Sequence, residues 1–384
     1  MSVTAPEGFS ASGVAAGIKA SGRPDVALVV NHGPSFAGAG VFTANRIKAA
    51  PVLWSQQVVK AGVIRAVVLN AGNANACTGP TGFQHTHRTA ETVGHLLDVS
   101  AAEVAVCSTG LIGDYLPIDE LLGGVRAANA ALSPDAGAAA AEAIMTPDTV
   151  AKQAAVTSPA GWTVGGMAKG AGMLAPALAT MLVVLTTDAD VDAAGLDVAL
   201  RRATAKTFER LDSDGCMSTN DTVLLLASGA SGIAPDADEF AVAVEHVCAD
   251  LAAALIDDCE GASKVIAIEV RRAVSEDDAL DVARAVSRSN LLKCAIHGED
   301  PNWGRILAAV GTTGASFDDD AIDVAINGVW VCRNSTIGDD RALVDMTARR
   351  VDITIDLHAG SAAATLLTND LTADYVHENS AYST

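Results

Sequence analysis

The sequence predicts an α+β protein built from stacked mixed β-sheets flanked by helices. Short β-type runs alternate with helical ones along all 384 residues, the pattern of a layered body. Several strand runs are apolar on both faces, which places them inside a sandwich of layers. Aromatic residues make up only 4% of the chain and glycine numbers 34, a composition suited to close helix-on-sheet packing rather than to a ring-filled core.

Strands are expected at 27–30, 64–69, 103–107, 181–187, 223–227, 265–270, 322–326 and 351–357. Helices are expected at 89–97, 118–131 and 192–210. In the last of these, Leu196, Ala199, Leu200, Ala203 and Thr207 mark one face. Phe240, Val244, Val247, Leu251 and Leu255 mark the face of a further helix. No repeat of 20 to 50 residues and no low-complexity tract interrupts the chain. The Asp- and Ala-rich stretch TTDADVDAAG after Leu185 is the one candidate for a domain joint.

A net charge of −21 leaves no basic stripe to neutralise phosphates and argues against nucleic acid as a partner. The seven cysteines are scattered and form no C-x-x-C pair, so a reducing cytoplasm fits better than a disulfide framework. No basic stretch followed by an apolar core opens the chain, so no signal peptide is expected. The longest apolar stretch, MLAPALATMLVVL, is too short to span a bilayer and contains Pro176. The eight histidines form no paired metal pattern, so no metal site is expected. Neither a phosphate loop nor a dinucleotide fingerprint occurs. These readings describe a soluble cytoplasmic protein.

The chemistry concentrates in KGAGMLAPALATMLVVLTTDA, which begins at Lys169. Gly170, Gly172 and Pro176 mark an irregular approach to a strand that opens at Thr180. Threonine is a good strand residue, and an ordinary strand opening is the local reading. The same residue can be a nucleophile that supplies its own base once its amide is cut. An α-amino group has a reference pKa of about 7.7–8.0, so a useful fraction is neutral near physiological pH. In that chemistry the Thr180 hydroxyl attacks the Ala179 carbonyl, an ester forms and water opens it.

The segment resembles the cleavage motif of the ornithine acetyltransferase family, the arginine-biosynthesis bifunctional ArgJ proteins. The resemblance runs over essentially the whole chain. It includes GFSASGVAAGIK near the start, VFTANRIKAAPV at 41–52, NAGNANACTG at 70–79 and STGLIG at 108–113. DCEGASK at 258–264, HGEDPNWGRI at 297–306 and the ending DYVHENSAYST follow in the same order. The resemblance implies self-cleavage between Ala179 and Thr180, with Thr180 as the nucleophile. It implies an α chain of residues 1–179 and a β chain of 180–384, interleaved in one ArgJ-like fold and staying associated.

The other site residues divide between a local reading and the one that the family implies. Ser108 to Gly113 reads locally as a turn after a strand. Glycine there lets a backbone N–H approach an oxyanion closely, and the resemblance assigns the oxyanion hole to Thr109 and Gly110. Lys169 is by default a surface lysine; the resemblance assigns it to substrate. Asp257, Asp258 and Glu260 crowd a helix C-terminus ahead of Gly261, against the helix dipole by about 0.3–1 kcal/mol each. Such local rule-breaking points to a site. A carboxylate there suits the side-chain ammonium of ornithine, and the family places Glu260 in the substrate pocket, while Asp257 and Asp258 fit a solvated acidic turn.

Thr146, in MTPDT, reads as a turn residue before Pro147 and aligns with a substrate-contacting position. The family has a second hydroxyl where this chain has Pro147, and Thr149 is the alternative contact. Asn379 and Thr384 read locally as a frayed tail and by resemblance as part of the substrate pocket. Ala177 and Leu178 depart from the family, which more often has a polar residue and Met there. Asn70, Gly72, Asn73 and Asn75 suit an anion cradle or a loop after a strand. His297, Asp300 and Arg305 have no assigned role.

The activity implied is ping-pong acetyl transfer from N2-acetylornithine to glutamate. Ornithine leaves, and N-acetylglutamate forms from an acetyl ester on Thr180. No cofactor is expected; acetyl-CoA is a co-substrate in some members, and these residues do not decide that point. The implied assembly is a dimer of αβ pairs. Two alternatives stay open: a related N-terminal-nucleophile amidase or aminopeptidase, with water as acceptor, and a non-enzymatic amino-acid-binding protein on the same fold.

Overall fold

The computed structural model describes residues 2–173 and 181–381. Ala177, Leu178, Ala179, Thr180 and Thr384 lie outside the described residues. The chain divides into two units, Met1–Glu209 with Cys216–Asp258, and Arg210–Gly215 with Cys259–Ser383. The border is therefore not at TTDADVDAAG, which falls inside the first unit. There Asp192 accepts the Gly195 N–H at 2.8 Å and caps the helix Ala193–Lys206.

The first unit holds two sheets. One has the strand order Phe9–Val14, Val26–Asn31, Ala66–Asn73, Val104–Leu111, with the last two parallel. The other runs Ala37–Phe42, Thr222–Ala227, Leu182–Thr187, Thr163–Lys169, Lys152–Thr157, with Thr222–Ala227 and Leu182–Thr187 parallel. Side chains alternate along a strand, and here the alternation serves two cores. Ala27, Val29, Val67 and Leu69 pack with Met167, Val184, Leu224 and Leu226 of the second sheet. Their neighbours Val26, Leu28, Val30 and Val68 face the opposite way, with Val93, Leu121 and Val125 from the helices Gly79–Leu97 and Ile118–Ala130. Strands that read as apolar on both faces are so because each face meets a different layer.

The helix Ala237–Asp257 covers the outer face of the second sheet. A Cβ on Gly166 would lie 3.2 Å from Leu251 and 2.6 Å from Leu185, so the missing side chain sets how closely this helix seats. The second sheet takes strands from both sides of residue 180, three from before it and two from after it.

The second unit is a six-stranded mixed sheet in which Val265–Ala273 pairs with Arg350–Asp356 in parallel and with Ala362–Asn369 antiparallel. Ile266, Ile268 and Val270 alternate onto one face, where they pack with Val282 and Val286 of the helix Glu276–Ser287. Both units are mixed sheets with helices against them, as the sequence predicts.

Candidate active site

Thr109 and Gly110 are not in a turn. The strand Val104–Leu111 continues through them, pairing Thr109 with Ala71 and Gly110 with Gly72 on the parallel neighbour. Gly110 has φ of +128°, and a Cβ there would sit 2.3 Å from the Gly72 carbonyl carbon. No other residue fits without parting the two strands.

Asn70, Gly72 and Asn73 likewise belong to a strand, Ala66–Asn73, and the side chains of the two asparagines brace it. Ser108 donates to Asn70 Oδ1 at 2.6 Å, Asn70 donates to the Asn73 carbonyl at 2.9 Å, and Asn73 Oδ1 accepts the Asn75 N–H at 2.8 Å. The amide of Asn220 donates to the carbonyls of Ala74 at 2.6 Å and Ser108 at 2.8 Å. These asparagines fix the backbone on which Thr109 sits.

Lys169 ends the strand Thr163–Lys169 and is buried, at 1% exposure. The expectation of a solvated surface lysine fails here. Its ammonium donates to Thr109 Oγ1 at 3.2 Å. A hydroxyl has one proton to give, and one that accepts from an ammonium keeps that proton for another acceptor. Thr109 thereby keeps its proton free for a further acceptor.

Behind Lys169 lies a buried charge cluster that the sequence did not disclose. Asp148 Oδ2 is 4.0 Å from Lys169 Nζ, and Asp148 Oδ1 is 2.7 Å from Lys152 Nζ. Asp148 also accepts the N–H groups of Gly170 at 2.7 Å and Thr146 at 3.0 Å. Burial opposes ionisation of Asp148, but Lys169 and Lys152 outweigh it and hold the carboxyl down to about 2. Lys152 makes a second contact of 2.5 Å with Asp258.

Asp258 also accepts from the Thr149 hydroxyl and, at 3.0 Å, from the Thr149 N–H. The solvated acidic turn expected for Asp258 is therefore wrong: it closes an ion pair and holds Thr149. Asp257, by contrast, is exposed. Lys19 adds a further cation nearby. Burial lowers it to about 8, with Asp25 pulling the other way, and its ammonium donates to the Pro24 carbonyl at 2.6 Å.

Asp221 is tied to the described chain that resumes at Met181. It is fully buried, and its Oδ1 accepts the N–H of Met181, the residue after Thr180, at 3.1 Å. No cysteine competes as nucleophile at this strand, since burial pushes the Cys107 thiol up to about 12.

In the second unit, Glu260 Oε2 accepts from the Asn379 amide at 3.0 Å. Asn379 belongs to the helix Ala373–Ala381, so the expected frayed tail is helical through Ala381. A cavity of about 300 Å³ opens beside Glu260, lined also by Ser213, Arg288, Lys293, Asp370 and Tyr375. His297 Nδ1 lies 3.0 Å from Asp370 Oδ2 and 3.2 Å from Ser263 Oγ. Both partners meet the same ring nitrogen, so this is not the relay of a Ser-His-Asp triad, in which the two nitrogens serve different partners.

A threonine hydroxyl that accepts from a buried ammonium on a braced strand of a layered α+β body is an arrangement that can serve acyl transfer. Comparison with known proteins narrows this. A model of the ArgJ family matches residues 10–384. The chain is 67% identical over 383 residues to the arginine biosynthesis bifunctional protein ArgJ of Streptomyces avermitilis, covering 100% of both. Against the protein of the same name from Thermobifida fusca it is 62% identical over 384 residues, again covering 100% of both. A solved chain of ornithine acetyltransferase complexed with ornithine, from Mycobacterium tuberculosis, is 61% identical. That match covers 46% of this chain and 94% of that one, with a TM-score of 0.45. The chain belongs to the ArgJ family.

Proposed function

We propose that the chain is an ornithine acetyltransferase of arginine biosynthesis that works through an acetyl ester on Thr180. The observation that carries this reading is the 67% identity to a bifunctional ArgJ protein over the full length of both. The precursor cuts itself between Ala179 and Thr180 into an α chain of 1–179 and a β chain of 180–384. N2-acetylornithine then binds, and Thr180 attacks its acetyl carbonyl. Thr109 and Gly110 hold the oxyanion, with Lys169 fixing which way the Thr109 hydroxyl donates.

The new α-amino group of Thr180 takes up and returns the proton. Ornithine leaves, glutamate enters the same pocket, and its amine collects the acetyl group as N-acetylglutamate. An amide is exchanged for a like amide, so no ATP and no cofactor are required. Acetyl-CoA serves as a second acetyl donor, in keeping with the bifunctional name of the relatives.

Glu260 and Asn379, joined at 3.0 Å, offer a carboxylate and an amide to the ornithine side chain. Thr146, Lys169 and Thr384 complete the substrate contacts. Thr149 is less suited to that task, because its hydroxyl is already given to Asp258. Strands from both sides of residue 180 share one sheet, which supports two products that stay associated after cleavage, as a dimer of αβ pairs in the cytoplasm.

Product analysis tests the transferase reading against an amidase. With N2-acetylornithine alone the enzyme should release about one ornithine per site and stop, and glutamate should restore turnover with matching N-acetylglutamate. Continuous release of ornithine and free acetate without glutamate would replace the transferase by a hydrolase.

A further inference from the structure

The free α-amino group that serves acetyl transfer does not exist until the Ala179–Thr180 bond is broken, so self-cleavage needs another proton carrier. The shift of the acyl group from nitrogen to oxygen removes a proton from the Thr180 hydroxyl and must place one on the departing Thr180 nitrogen. Among the described residues of the first unit, Asp221 is the titratable group tied directly to the chain next to that bond.

Three observations single it out. Its carboxyl has no exposure. Its Oδ1 accepts the Met181 N–H at 3.1 Å, while the Met181 carbonyl accepts from Thr222 at 3.2 Å, so the first residue after Thr180 is held at both ends. Its Oδ2 is buried and makes no hydrogen bond of ordinary geometry among the described residues, although the Ser218 and Thr43 hydroxyls lie near the carboxyl, an arrangement that is costly for a carboxylate.

We propose that Asp221 is the proton carrier of self-cleavage, a role that rests on Thr180 being the nucleophile. Its neutral carboxyl gives a proton to the Thr180 nitrogen as the bond to the Ala179 carbonyl carbon breaks. The Thr180 oxygen forms its bond to the same carbon, and the hydroxyl proton returns to the carboxyl. One C–O bond replaces one C–N bond, the carboxyl ends as it began, and water then opens the ester. Burial, the largest influence, keeps this carboxyl well above the ordinary carboxylate range. The Met181 N–H, the Ser218 and Thr43 hydroxyls and Lys169, the charged group that faces it, pull in the opposite direction.

Asp221→Asn keeps an acceptor for Met181 and removes the transferable proton. Freshly translated wild-type, Asp221→Asn and Thr180→Ala chains are chased at fixed pH and read by intact mass, with melting temperature measured on each. Asp221→Asn should melt within a few degrees of Thr180→Ala and be cut about 100-fold or more slower than wild type. Cleavage of Asp221→Asn at the wild-type rate overturns the proposal and leaves Thr180 in place. Continued cleavage of Thr180→Ala overturns the nucleophile reading instead. If Asp221→Asn does not fold, the wild-type rate against pH decides. A neutral donor requires the rate to fall as the carboxyl ionises toward alkaline pH, and a rate that climbs steadily through the alkaline range overturns it.

Discussion

Asp148 holds the first unit's buried charges in balance, since both Lys152 and Lys169 lean on it. Its folded pKa of about 2 lies below the reference value of 3.8. The stabilisation it contributes is therefore complete above the unfolded pKa and disappears as pH falls from about 4 toward about 2. The difference corresponds to roughly 2 kcal/mol. Asp148→Asn leaves two buried ammonium groups short of a counter-charge, which should lower stability in urea at neutral pH by about 3 kcal/mol. It should also flatten the pH dependence in that window. An unchanged urea midpoint would show that the cluster is dispensable. At this scale the sequence singled out Thr109, Gly110, Lys169 and Glu260 by motif. It hid Asp148, Lys152 and Asp221, because an aspartate after a proline or an asparagine reads as a turn residue until the fold brings its lysines or its strand to it.

Among the elements, strand and helix cores were legible and their ends were not. The strand expected to stop at 107 runs to Leu111, and the helix expected from 89 begins at Gly79. One error arose from a glycine and the other from a proline. Gly110 continues a strand because it must lie against Gly72, and Pro80 opens a helix rather than breaking one. The long reach of Val104–Leu111 depends on a residue far away in sequence. Asn220 donates to two carbonyls, Ala74 and Ser108, at the base of the Thr109–Gly110 segment. Asn220→Ala removes both donors and should cost about 1–3 kcal/mol. If Thr109 and Gly110 hold the oxyanion as proposed, kcat for acetyl transfer should drop more than the KM for N2-acetylornithine rises. A variant that melts lower with unaltered kcat would confine Asn220 to stability.

For the whole molecule, the layering could be read from runs apolar on both faces. The division into units could not. Composition at TTDADVDAAG resembles a joint, yet the border follows which core each strand buries: Val184 and Leu224 belong to one core, Ile266 and Ile353 to another. The first unit's second sheet draws on strands from both sides of position 180. A cut there severs a connection without removing a layer, which is the physical basis for expecting the two products to remain one body. Intact-mass spectrometry of the full-length protein before and after N2-acetylornithine tests the central claim most directly. The account predicts two fragments, the second beginning at Thr180, and one acetyl group gained on that threonine alone. A single uncut chain after prolonged incubation, or acetyl on any other residue, would contradict it.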